Sequence, residues 1–306
     1  MPEHSLRSRV TAGRFTLPAA ILLAVAGWTL SGGWHAGWPL PCTLLTAWLL
    51  VLLNGRYSLI RVRASLQSSC YLLLTGCCTW LHHPSVGWVA GIAFLLSLLF
   101  FFHSYRHPEP QAALFHSFLM LGLGSLCWPP LLLLVPCYWV GAWHFSALHV
   151  RSFAASLTGL LAACGSYFSY AYCTNSLPAA CRRLTQDVWP CPPSWSSVTT
   201  GQCLMLGYLL LLFGISTLHL TTHSYDEKLS TRSRLHFLTL LHLLLFLMAL
   251  LQPAWIPVLL CLLPLGVSIL AAHYFLLSRG RVANLIFLLS LVLPLSFLLV
   301  SLWIVG

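Results

Sequence analysis

Eleven uninterrupted apolar runs follow one another along the chain, and no Asp, Glu, Lys or Arg falls inside any of them. They are Phe15 to Gly32, Trp38 to Leu53, Leu66 to Trp80, Val86 to Phe102, Ala112 to Cys127, Pro129 to Trp143, Phe153 to Cys173, Gln202 to Leu218, Leu235 to Leu251, Ile256 to Leu277 and Val282 to Ile304. Each is Leu-rich and continuous, about the length a helix needs to cross a bilayer, and none alternates as a barrel strand would. With 15 basic and 5 acidic side chains in 306 residues, the chain cannot clothe a soluble core in charge. Lipid has to be its outer solvent. The expected fold is all-α: a polytopic transmembrane helix bundle of about eleven spans (ten to twelve), forming one integral membrane domain over residues 1–306.

The fifth and sixth runs are separated only by Trp128-Pro129-Pro130. Taken as one helix they would be too long for a single crossing, and consecutive prolines favour a turn. The basic residues test this reading. Arg7, Arg9 and Arg14 precede the first run, and Arg56, Arg61 and Arg63 follow the second. Arg106 follows the fourth, Arg151 the sixth, Lys228, Arg232 and Arg234 the eighth, and Arg279 and Arg281 the tenth. All fall in alternate loops, leaving only Arg182 and Arg183 for the other side. The positive-inside rule then places the N-terminus in the cytoplasm and the C-terminus outside. The first run, long and Trp-bearing, reads as a retained anchor, with no cleaved signal peptide. The net charge of +10 therefore marks insertion and contact with anionic lipid. Membrane lipids are the expected partners, and nucleic acid is not.

Two segments carry a resemblance. Asn54-Gly55-Arg56-Tyr57-Ser58-Leu59-Ile60-Arg61-Val62-Arg63 joins the second and third runs, and Leu121-Gly122-Leu123-Gly124-Ser125-Leu126 leads to Pro129-Pro130. Together they resemble an uncharacterised polytopic inner-membrane family of Gram-negative anaerobes, over the first two-thirds of the chain. The resemblance implies a multi-pass inner-membrane location and carries no catalytic residue or established activity.

Glu3, Glu109, Asp187, Asp226 and Glu227 are the only acids, all outside the apolar runs. A proton-coupled carrier places a carboxylate within the membrane, so such a carrier is disfavoured. Residues 33 to 37 also lack the Asp that some lipid-linked sugar transferases carry in their first outer loop. Histidine is the next candidate. His103 and His107, His144 and His149, and His219 and His223 stand near cytoplasmic ends of runs, with His116, His236 and His273 close to the same face. Pairs at i, i+4 share a helix face and could share a metal, in the manner of membrane di-iron hydroxylases. Those enzymes need a His-His doublet, whereas the only doublet here, His82-His83, is predicted on the opposite side. The alternative is that His replaces Lys as an interfacial residue. His242 is the lone mid-span imidazole, suited to a hydrogen bond with a neighbouring helix or to lining a path.

Eight cysteines sit in or beside the runs as small packers. Cys173, Cys181, Cys191 and Cys203 bracket or occupy the long outer loop, residues 174–200, and are disulfide candidates. That loop also holds Arg182-Arg183 beside tryptophans, a pattern able to grip phosphate or sugar, or simply to anchor at the interface. Arg56, Arg61 and Arg63 form a second phosphate or lipid-head-group candidate, or else only fix topology. The small residues Gly122, Gly124, Ala154, Ala155, Gly159, Ala162 and Ala163 suit close helix packing. No cofactor is specified. Three functional readings stand: support of envelope assembly or handling of lipid-linked material; a transporter or flippase without proton coupling; and a membrane enzyme acting on a lipid, through a His-box metal or the Arg182-Arg183 loop.

Overall fold

The structure is a computed structural model that describes residues 13, 15–31, 37–60, 65–186, 188, 193, 195–223, 227–278 and 280–305. Among these it contains twelve α-helices and no strand. They are α1 (Thr16–Leu30), α2 (Pro39–Tyr57), α3 (Leu66–Gly76), α4 (Val86–Phe101), α5 (Gln111–Cys127), α6 (Val135–His144), α7 (Val150–Cys173), α8 (Leu177–Gln186), α9 (Thr200–Thr222), α10 (Leu229–Leu251), α11 (Ile256–Leu277) and α12 (Arg281–Val305). The segments Val86–Ser104, Thr200–Thr222, Leu229–Leu251, Pro253–Leu277 and Arg281–Val300 are long and apolar enough to cross a membrane. The protein is an α-helical membrane protein.

Local sequence explains the helix ends. Thr199 and Gln202 exchange side-chain and backbone hydrogen bonds (3.1 and 3.4 Å) as a capping box that opens α9. Pro39 lies in the first turn of α2, where its missing N–H costs nothing. The same helix ends at Ser58, whose φ of 48° is left-handed, and Asn54 Oδ1 accepts the Ile60 N–H at 2.9 Å. The turn that closes α2 therefore falls at Ser58. Gly55 and Arg56 are still helical, and α3 begins only at Leu66.

At Trp128 the backbone is extended (φ −138°, ψ 93°), so the chain does break before Pro129-Pro130. The prolines then open a six-residue 3-10 segment, Pro129–Leu134, and α6 has only ten residues. The outer loop predicted over residues 174–200 contains a helix, α8, that its polar composition concealed.

The chain divides into two compact units. Unit 1 comprises residues 1–85, 199–228 and 263–306; unit 2 comprises 86–198 and 229–262. In unit 1, α1 buries Ala20, Ala24, Gly27 and Trp28, one stripe at helical spacing. This stripe meets α3 so closely that a Cβ on Gly76 would stand 2.5 Å from Ala24 Cα, and one on Gly27 would collide with the Gly76 carbonyl. Ser68 Oγ donates to Ala47 O at 2.9 Å, tying α3 to α2.

In unit 2 the small residues serve the same purpose. A Cβ on Gly122 would lie 2.7 Å from Ala163 Cβ, and one on Gly159 would strike the Phe115 carbonyl, so α5 and α7 pack backbone against backbone. Ser97 and Ser117 hydroxyls meet at 3.1 Å between α4 and α5. Phe101 and Phe237 stack with centroids 4.5 Å apart, and Tyr138 meets both rings edge-on.

Candidate functional site: an apolar cavity in unit 1

Unit 1 holds a cavity of about 430 Å³, within the range of small-molecule sites. Ala19, Ala20 and Leu23 of α1, Leu66, Leu73 and Leu74 of α3, and Leu212 of α9 line it. Ala271 and Phe275 of α11 and Phe287 and Leu291 of α12 complete the apolar wall, with Gly13, Phe15 and Thr16 where the chain enters α1.

The polar side chains on this wall are turned back into backbone. Thr16 Oγ1 donates to Gly13 O at 3.0 Å, Ser69 Oγ to Ser65 O at 3.1 Å and Ser290 Oγ to Phe287 O at 2.7 Å. Tyr208 Oη donates to Ser290 O at 3.2 Å, from α9 across to α12. That bond has a cause in the sequence. Pro294 lies inside α12 and has no N–H, so the carbonyl four residues earlier, on Ser290, loses its helical donor. Tyr208 supplies the missing one. In hydrocarbon an unmet carbonyl is costly, so the proline and the tyrosine act as a pair.

A second polar contact lies in the α3–α4 connection. His82 is 2% exposed and stacks on Trp28, with centroids 4.1 Å apart. Its Nε2 faces Thr75 O at 3.1 Å and its Nδ1 faces Ser31 Oγ at 2.6 Å. A carbonyl only accepts, so the proton sits on Nε2, and Nδ1 receives the Ser31 hydroxyl. Burial pushes the imidazole down from 6.5 to about 4, opposed by the Thr75 carbonyl. The ring stays neutral and pins the α3–α4 connection to the end of α1.

The predicted histidine pairs form only in part. His219 and His223 stack with centroids 4.5 Å apart at the end of α9, as the i, i+4 spacing requires. His103 and His107 lie 5.0 Å apart, but across a 3-10 turn and the left-handed Arg106 (φ 49°), not on one helix. His144 ends α6 and His149 occupies the N-cap of α7, with left-handed Ser146 between them, so no helix face unites them. Among the described residues no three His, Cys, Asp or Glu side chains gather in a metal-binding group. His242 is buried in α10, where its Nδ1 donates to Leu238 O at 2.9 Å, one turn back in the same helix, and its ring tilts against Phe94. His273 Nε2 and Glu227 Oε1 approach to 3.6 Å, a pairing that sequence spacing did not reveal.

Arg56 is exposed in the last turn of α2, whereas Arg61 and Arg63 lie outside the described residues. Arg182 and Arg183 are exposed on α8. Cys173 and Cys203 are exposed free thiols, Cys181 is exposed on α8, and Cys191 lies outside the described residues.

No protein-family model, curated protein or solved structure matches the chain.

Proposed function

We propose that this is a multi-pass protein of the inner membrane that handles lipid or lipid-linked material, with about eleven crossings and its N-terminus in the cytoplasm. The observation that carries the reading is the unit 1 cavity. It is apolar, its polar groups are internally satisfied, and it lies among α1, α9, α11 and α12, three of which have the length and composition of membrane spans. A cavity of that character in a bilayer attracts hydrocarbon and offers nothing to a hydrophilic solute. The alternation of arginine-bearing loops supports the topology.

Two measurements test the proposal. Protein purified from its native membrane in mild detergent is expected to retain lipid detectable by mass spectrometry; lipid-free protein that rebinds none would overturn the function. Reporter fusions at Glu109 and Lys228 are expected to report cytoplasm, and those at Ser85 and Gly306 the opposite compartment. An outer signal at Lys228 would overturn the topology.

A further inference from the structure

We infer that the unit 1 cavity takes one acyl chain of an anionic glycerophospholipid, drawn from the leaflet at the end of the unit where α1 and α3 begin. This inference rests on the lipid-handling proposal and adds the class of ligand, its leaflet and its orientation.

Depth is the first ground. The lining runs from Gly13 to Leu23 along the entry and first turns of α1, and from Leu66 to Leu74 along α3. At 1.5 Å rise per residue these stretches reach roughly 12 to 15 Å, about half of a ~30 Å hydrocarbon core. The cavity is one leaflet deep, which suits an acyl chain and not a long polyprenyl tail. The open end is set by the same residues. Leu66 begins α3, Thr16 begins α1, and Phe275 lies in the last turn of α11, so all three place the rim at one end of the unit.

Chemistry of the wall is the second ground. The hydroxyls of Thr16, Ser69, Ser290 and Tyr208 each donate to a backbone carbonyl. Their protons are committed, so the acceptor oxygens of a hydroxylated or amide-bearing chain would meet no hydroxyl donor in exchange for the water they lose. A bare hydrocarbon chain loses nothing. Charge at the rim is the third ground. Arg281 opens α12 six residues before the lining Phe287, at the end of the helix that follows the last turn of α11. A guanidinium at that level favours a phosphate-bearing, net-negative head over a zwitterionic one.

The test uses the full chain in mixed micelles with phosphatidylglycerol carrying a mid-chain diazirine, followed by mapping of the crosslinked peptides. Crosslinks are expected on the lining segments, at Leu73, Leu212 and Leu291. Ala20→Phe, which fills the cavity, is expected to lower their yield about tenfold. Unlabelled phosphatidylglycerol should compete better than phosphatidylcholine with the same chains, and Arg281→Gln should erase that preference. Crosslinks lying elsewhere, equal competition by the two lipids, or stronger competition by a polyprenyl phosphate would each overturn this inference while leaving lipid handling intact. Failure to bind any lipid would overturn both. If Ala20→Phe does not fold, the crosslink map and the competition on the wild-type protein decide.

Discussion

Replacing Tyr208 by Phe keeps the ring and removes one hydroxyl, the donor to Ser290 O at 3.2 Å. Interhelical hydrogen bonds in membrane proteins average about 0.6 kcal/mol and reach about 1.7. The upper part of that range applies here, because Pro294 leaves the Ser290 carbonyl without its helical N–H. Tyr208→Phe should therefore destabilise the protein by about 1 to 2 kcal/mol. Pro294→Ala offers the control, since alanine restores the N–H and lets α12 satisfy the carbonyl itself. In that background Tyr208→Phe should cost less than about 0.5 kcal/mol, a coupling that a double-mutant cycle isolates. Reversible unfolding in mixed micelles gives the four free energies. An equal cost of Tyr208→Phe in both backgrounds would refute the pairing of proline and tyrosine.

His82 makes stability depend on pH. Its neutral form belongs to the folded state, so the stabilisation is complete above the unfolded value of 6.5 and is lost as pH falls toward about 4. The loss is roughly 2–4 kcal/mol, and His82→Gln should flatten the slope of thermal stability against pH; an unchanged slope would sink the assignment. Gly76→Ala places a Cβ 2.5 Å from Ala24 Cα and should cost about 1–3 kcal/mol, whereas Gly207→Ala, where a Cβ meets nothing within 4 Å, should be tolerated. Comparable melting temperatures for these two variants would contradict the close approach of α1 and α3.

The helices were legible because each apolar run is long, and hydrocarbon leaves a backbone no alternative to internal hydrogen bonds. What the runs could not convey was where regular helix gives way. Pro129 and Pro130 signalled the break, yet the 3-10 segment they open and the shortness of α6 depend on packing. α8 escaped notice for the opposite reason. Leu177, Ala180 and Leu184 repeat at helical spacing, but Arg182, Arg183 and Gln186 make the average polar. Histidine spacing indicated which rings could pair and carried no information on whether pairs would converge. The cavity was invisible, since its wall joins residues from Gly13 to Leu291, and Tyr208 and Ser290 are 82 positions apart. Only Pro294 hinted that one carbonyl in the last helix would need an outside donor.

The inward-turned hydroxyls have a consequence for biosynthesis. Thr43 donates to Pro39 O, Thr46 to Cys42 O, Thr75 to Tyr71 O, Ser166 to Ala163 O and Ser296 to Leu293 O, each within its own helix. A segment satisfied in this way can leave the translocation channel sideways as soon as it is made, without waiting for a partner that the ribosome has yet to supply. α12 differs in one respect, because its Ser290 carbonyl needs Tyr208 of α9. By the time α12 emerges, α9 has long been synthesised, so the donor that the Ser290 carbonyl needs is already in place.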